Sequence, residues 1–209
     1  MLSSGYRRSG GIAYKAVCPG CGRCVPIRIR PEKFVFSKKH RHLLRRNCDI
    51  EIKIVRSAEE LITPEKIDLM ARYNLRHNPS DNLDRRGVIE ILENINGICD
   101  GEVMYKGTVN FDYRAGGKLV GVGVIDFGAV SVSSCYFYYD TSHEVMKRSL
   151  GTFSILKEIE YCALNGYKFY YLGYYISKCK AMSYKGRFLP HELLIGGEWQ
   201  EQVVQNMHI

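Results

Sequence analysis

The chain has 209 residues, 45% of them hydrophobic and 25% charged, with a net charge of +8. That length supports one good core or two small ones. No apolar run reaches the roughly 18 to 20 residues of a membrane span, and Met1 to Arg8 lack the long apolar stretch of a signal peptide, so a cytoplasmic protein without membrane contact is expected, with a monomer as the starting assumption.

Residues 1–48 read as a small, basic, cysteine-containing region of turns and short strands, broken at Gly10-Gly11 and Pro19-Gly20. Residues 1–50 hold twelve Lys or Arg against Glu32 and Asp49, a net of +10, which leaves −2 for the remainder. The asymmetry suits a polyanion held by the N-terminal part, although a solvated basic surface gives the same count. Cys18, Cys21 and Cys24 recur every third residue. Without a secretory signal this spacing favours metal or redox chemistry over disulfides. Zinc and most iron–sulfur clusters need four ligands. The triplet offers three, and the fourth would come from Cys48, His40, His42 or another chain. A group of structural or redox-sensitive thiols is the other reading. Cys48, Cys99, Cys135, Cys162 and Cys179 are scattered and read as ordinary thiols.

Val25 to Arg30 alternates apolar and basic residues like a half-buried strand, and His40 to Arg46 allows one or two helical turns. Asp49 to Val55 alternates strictly and predicts a strand. Thr63 caps a helix with Pro64 at its first position, running to about His77 and stopped by Pro79. Val88 to Ile95 predicts a second helix. Gly107–Arg114 and Lys118–Phe127 form a hairpin across Ala115-Gly116-Gly117, and Val130–Tyr139 is a third strand. Leu150–Leu164 is amphipathic, with Phe153, Leu156, Ile159 and Ala163 on one stripe, and Asn165-Gly166 ends it. Lys168–Ile176 and the short Leu193–Ile195 complete the strands. From residue 49 the order is strand, two helices, three antiparallel strands, helix, strand, short helix, strand. This is the order of an α+β, GNAT-like (acyl-CoA N-acyltransferase-like) domain over 49–209.

Two segments point to chemistry. At Lys147-Arg148-Ser149-Leu150-Gly151-Thr152 a helix begins with a glycine and two cations, and the free N–H groups of a first turn favour an anion. The pyrophosphate of coenzyme A or the phosphates of a tRNA 3′ end would suit it, and an ordinary capped helix is the plain alternative. Ten of the fifteen tyrosines lie between Tyr136 and Tyr184. Tyrosine offers a face for a base and a phenol for hydrogen bonding. In Tyr170 to Tyr175 alternate residues face opposite sides, so one set packs inward.

Taken in order, the segments resemble the arginyl-/leucyl-tRNA–protein transferases, above all their bacterial aspartate/glutamate leucyltransferase branch. The resemblance rests on Gly5-Tyr-Arg-Arg-Ser-Gly10, Tyr14, Cys18-x-x-Cys21-x-x-Cys24-Val-Pro-Ile-Arg28, Phe34, Ser37 and Arg41. It continues through Arg45-Arg46-Asn47, Tyr73, Arg76-His77, Tyr138-Tyr139-Asp140 and Arg148-Ser-Leu-Gly-Thr152. Tyr171-Leu-Gly-Tyr-Tyr-Ile176, Cys179, Met182-x-Tyr184-Lys185, Phe188-x-Pro190-x-Glu192 and Trp199 complete it. Family members carry a further N-terminal segment, so the chain reads as lacking that segment. Ala181 stands where a lysine commonly precedes the methionine.

The resemblance implies transfer of leucine or arginine from aminoacyl-tRNA to the α-amino group of proteins beginning with Asp or Glu, in an N-degron route. It implies a GNAT-like catalytic domain, and in some relatives an iron–sulfur cluster near the cysteines of the first region. On this reading Arg41, Arg45, Arg46, Lys147, Arg148, Ser149, Gly151 and Thr152 meet the donor tRNA. An arginine among Arg7, Arg8, Arg28, Arg76 and Arg187 receives the acidic side chain. Tyr174, Tyr184 and Lys185 lie near the carbonyl. The ester is already activated, so positioning, proton removal and oxyanion stabilisation suffice and transfer requires no cofactor. Zinc or an iron–sulfur cluster at Cys18, Cys21 and Cys24 would be additional. A coenzyme A-dependent acetyltransferase and an inactive tRNA-binding remnant are the competing readings.

Overall fold

The first fifty residues make a hairpin of β1 (Arg7–Ser9) and β2 (Ile12–Tyr14), a strand β3 (Val25–Ile29) and a basic helix α1 (Lys38–Arg46). Next come β4 (Ile50–Val55), α2 (Ala58–Leu61), α3 (Pro64–His77), α4 (Arg85–Asn96) and the two-residue strands β5 (Ile98–Cys99) and β6 (Glu102–Val103). Three long strands, β7 (Thr108–Ala115), β8 (Lys118–Phe127) and β9 (Ser131–Tyr139), lead into α5 (His143–Lys147) and α6 (Leu150–Leu164). The chain then forms β10 (Phe169–Tyr175), α7 (Lys180–Ser183), β11 (His191–Ile195) and β12 (Glu198–Gln202). This computed structural model describes residues 1–81 and 83–203.

Local signals explain most boundaries. The Thr63 hydroxyl accepts from the Lys66 amide at 3.4 Å, Pro64 starts α3, and Asp84 caps α4 through the Gly87 amide at 2.8 Å; each satisfies an N–H that the helix cannot. Gly116 and Gly117 take φ of 55° and 79°, as a tight hairpin between right-twisted strands requires.

Eight strands form one sheet in the order β12-β11-β3-β10-β9-β8-β7-β4. Every neighbouring pair is antiparallel except β9 and β10. β3 lies inside the sheet between β10 and β11 although the boundary expected after residue 48 stands C-terminal to it. It is also more buried than its alternation predicts. Ile27 and Ile29 are fully buried, and Arg28 on the other face is buried as well. One face of the sheet packs under α6 through Phe111, Tyr113, Phe153, Leu156, Ile159, Tyr170 and Leu172. The other face packs under α3 and α4 through Leu69, Met70, Leu92, Val122, Val124 and Tyr138.

The parallel pair is short. β9 and β10 are in register only at Ser131/Phe169, Val132/Tyr170 and Ser133/Tyr171. Both strands continue beyond, but the ladder between them stops. β10 bulges between Tyr171 and Gly173, and Gly173 has φ 92°. The strands therefore splay from Ser134 and Leu172 onward. A crossover between parallel strands starts at the C-terminal end of the first, so α6 begins at the edge where the splay opens.

Candidate active site at the splayed strands

Arg7 reaches into the splay from the face opposite α6. Its Nη2 donates to the Ser134 carbonyl at 2.5 Å, and its Nη1 is buried with no hydrogen-bond partner among the described residues. A Cβ added at Gly173 would stand 3.5 Å from Lys185 Nζ and 3.6 Å from Arg7 Nη2. Glycine keeps both cations close to the strand, and its left-handed backbone resists any other residue. Lys185 Nζ donates to the Tyr174 carbonyl at 2.9 Å and lies 3.3 Å from Met182 Sδ. Burial, and secondarily the nearby Arg7 charge, lower its pKa to about 8. At pH 7 such a lysine is mostly charged, and its neutral minority can accept a proton.

The two tyrosines expected at the carbonyl are placed differently. The Tyr174 hydroxyl donates to the Gly5 carbonyl at 3.0 Å and accepts from the Ala16 amide at 2.9 Å. It is engaged at both donor and acceptor and pins the segment that carries Arg7. Tyr184 is half-buried on the turn leading into Lys185. Burial, with the Glu158 carboxylate adding to it, raises its phenol pKa.

Glu158 is the residue that sequence reasoning passes over. It lies on α6 and is buried, and its Oε2 accepts from the Tyr170 hydroxyl at 2.5 Å. Burial raises its pKa to about 7 against the hydrogen bonds from Tyr170 and Ser134. The available signal was spacing: Ser154, Glu158 and Cys162 stand four apart on a helix whose neighbouring stripe is apolar, which puts all three on an inward face.

At the open edge, Ser149 precedes α6 in the left-handed conformation (φ 55°) and makes no side-chain cap. The Thr152 and Phe153 amides donate to the Ser149 carbonyl; the amides of Leu150 and Gly151 are left without a backbone partner among the described residues. Nothing lies within 4 Å of a Cβ added at Gly151. The basic helix α1 ends beside this point. Asn47 Nδ2 donates to the Arg148 carbonyl at 3.1 Å, Arg46 Nη2 lies 3.4 Å from Ser149 Oγ, and Arg148 pairs with Asp49 at 2.8 Å. Arg45 and Lys147 are exposed, whereas the Arg41 guanidinium turns back to the Phe36 carbonyl. The uncapped turn offers free N–H groups, and Arg46 beside it adds positive charge, the two features by which helix starts attract anions.

Of the five arginines expected to meet an acidic ligand, two are held in ion pairs within the chain. Arg8 makes a double ion pair with Asp126 (2.7 and 3.0 Å) and donates to the Gly10 and Ile95 carbonyls. Arg28 pairs with Glu192 at 2.5 Å and lies between the rings of Phe169 and Trp199, 3.9 and 4.1 Å from their centroids. Arg76 and Arg187 are exposed. Arg7 alone of the five combines burial with an unpartnered nitrogen.

Tyr73 and His77, matched in sequence at a helix end, stack at 4.1 Å, with Tyr139 edge-on to Tyr73 at 5.4 Å. The Tyr73 phenol is pushed up by burial and by Tyr136, Tyr139 and Tyr184, so these rings gather near the splay. Cys18 and Cys21 close a turn through the Cys21 amide and Cys18 carbonyl at 3.1 Å. Both are exposed, and Cys24 is half-buried. Among the described residues no three His, Cys, Asp or Glu side chains are placed to hold a metal ion, so the triplet as folded does not make the tetrahedral set that zinc requires.

A mostly antiparallel sheet with one splayed parallel pair, bridged by a helix with an open start, defines an acyltransferase-like α+β fold. Residues 1–42 and 65–195 match the profiles described as Arginine-tRNA-protein transferase, N terminus and C terminus. The aspartate/glutamate leucyltransferase of Aeromonas hydrophila is 34% identical over 206 residues, covering 96% of this chain and 79% of that protein. The protein of the same name from Helicobacter hepaticus is 34% identical over 198 residues, covering 93% and 77%. In fold alone, the chain is similar to the C-terminal domain of a protein assigned as a lysylphosphatidylglycerol synthetase from Agrobacterium fabrum (TM-score 0.54, 12% identity, 73% of this chain and 47% of that one). The chain belongs to the arginine-tRNA-protein transferase family. Among its described residues no helix is long and apolar enough to cross a membrane.

Proposed function

We propose that the protein moves an amino acid, leucine in preference to arginine, from aminoacyl-tRNA to the α-amino group of polypeptides beginning with Asp or Glu. The observation that carries this reading is the splay itself. It holds a buried arginine with a free nitrogen next to a lysine of lowered pKa, beside an uncapped helix start flanked by a basic helix. Leucine is favoured because the curated relatives bear leucyltransferase names.

The chemistry needs little beyond placement. The α-amine attacks the ester carbonyl, a peptide bond forms, and the terminal ribose oxygen of the tRNA leaves with a proton. An α-amine has a pKa of roughly 7.7 to 8, so a lysine of similar pKa can take its proton with little loss. Arg46, Arg148 and the first turn of α6 hold the terminal phosphates, with Arg41, Arg45 and Lys147 along the tRNA path. Tyr184, on the turn that carries Lys185, flanks the proposed reaction centre, and Tyr174 positions the Arg7 segment. The activated ester makes a cofactor unnecessary. Zinc or an iron–sulfur cluster would have to draw Cys18, Cys21 and Cys24 together from where they stand, and metal content after anaerobic purification tests it. The product carries a new N-terminal residue that marks it for degradation, which suits a cytoplasmic monomer.

The test is a donor-swap assay. Labelled leucyl- or arginyl-tRNA is incubated with peptides beginning Asp, Glu or Ala. Label on Asp and Glu peptides, greater with leucyl-tRNA, is expected. Equal absence of label on all three from the folded protein would overturn the reading.

A further inference from the structure

Arg7 divides two spaces. On one side is the splay with Lys185. On the other is a cavity of about 640 Å³ whose walls include Phe169 and Tyr171 of β10, Ser133 of β9 and Asp126 of β8. It lies on the sheet face opposite α6. Tyr170, between Phe169 and Tyr171, turns toward α6 to bond Glu158, so its two neighbours point the other way. The N-terminal segment, from Met1 to Ala13, lines it too, together with Met104, and Ala13 and Met104 are both exposed. The size falls in the roughly 300–1,000 Å³ range of sites for drug-sized ligands, such as a di- or tripeptide.

Charge selects the occupant. Asp126 is already paired with Arg8 at 2.7 Å. Arg7, which lines the same cavity, makes no ion pair among the described residues, and its Nη1 is buried without a partner. A buried donor left empty is satisfied best by a carboxylate. Most of the uncharged wall is apolar, and the flexible Met1 and Met104 in it suit varied residues after the first.

We propose that this cavity receives the first residues of the acceptor polypeptide, so that acceptor and tRNA approach the splay from opposite faces of the sheet. The acidic side chain meets Arg7, and the α-amine passes it to reach Lys185. The proposal rests on the acceptor class given above, and its test is independent of transfer. A fluorescent peptide beginning with Asp is titrated into the protein without donor. Saturable binding is expected, weakened roughly tenfold or more in Ala13→Trp and Met104→Trp, with tRNA binding unchanged in both. Met104 is 57% exposed, so Met104→Trp keeps the fold and carries the test alone if Ala13→Trp fails to melt cooperatively. Absence of peptide binding, equal binding of an Ala-leading peptide, or wild-type affinity in the folded variants would each overturn the cavity assignment. Failure of the donor-swap assay alone would overturn only the transfer reading.

Discussion

Lys185 and Glu158 are buried ionisable groups near the splay, and burial moves them in opposite directions. Lys185 falls to about 8 from 10.5, so it favours the folded state above pH 10.5 and loses that contribution as pH falls through about 8. At pH 7 it is a buried charge held at a cost. Lys185→Met is therefore expected to resist denaturant better at pH 7, by on the order of 1–3 kcal/mol. It should also lower kcat for transfer by on the order of a hundredfold, as loss of a proton acceptor does. Unchanged kcat in the folded variant would remove Lys185 from the reaction. Glu158 rises to about 7 from 4.5, so its contribution is full below pH 4.5 and lost as pH rises through about 7. Glu158→Gln should match the wild type near pH 5 and exceed it by on the order of 2 kcal/mol at pH 8. Urea melts at the two values decide it, and a difference that does not vary with pH would deny the shift. At this scale Met182-x-Tyr184-Lys185 drew notice through its likeness to the family, without a role for either residue. The sequence was unreadable where partners are distant: nothing near Arg8 or Arg28 announces Asp126 or Glu192.

The elements follow local rules where one face is buried and the other wet. The alternation of β4, the capping of α3 and the glycines between β7 and β8 could each be read directly. β12 could not, because Glu198-Trp-Gln-Glu-Gln202 is polar apart from Trp199 and shows no alternation. It pairs with β11 along its whole length, and its Trp199 stacks on Arg28 while donating to the Ser3 carbonyl at 2.9 Å. Tertiary packing decided that strand. The start of α6 allows an element-level prediction in which stability and binding separate. Gly151 is helical, and a Cβ there meets nothing within 4 Å. Gly151→Ala should stabilise the protein by roughly 0.5–1 kcal/mol, the ordinary helix preference of alanine. If donor phosphates close on this turn, the added methyl lies against them. The KM for aminoacyl-tRNA should then rise severalfold while the KM for the acceptor peptide stays constant. A gain in stability with unchanged KM for tRNA would place the phosphates elsewhere.

Across the whole molecule, charge and topology divide the labour. Residues 1–50 carry +10 and the remainder −2, yet β3 from that basic portion is an interior strand of the sheet. The basic surface is thus built onto the catalytic sheet, with Arg46 reaching the start of α6. A polyanion held there releases counterions on binding, and log K falls linearly with log salt by about 0.7 to 0.9 per phosphate contact. Arg45→Gln with Arg46→Gln should therefore make the slope for tRNA shallower by about 1.4 to 1.8, the value for two contacts. Arg86→Gln provides the comparison. Arg86 is a similarly exposed cation, but it pairs with Glu90 on α4 at 2.9 Å, and its loss should leave the slope unchanged. Changes in the two variants in proportion to the charges removed would mean that net charge alone attracts the tRNA. A change confined to the α1 arginines places the acceptor end of the tRNA on α1, within reach of Ser149 and the splay.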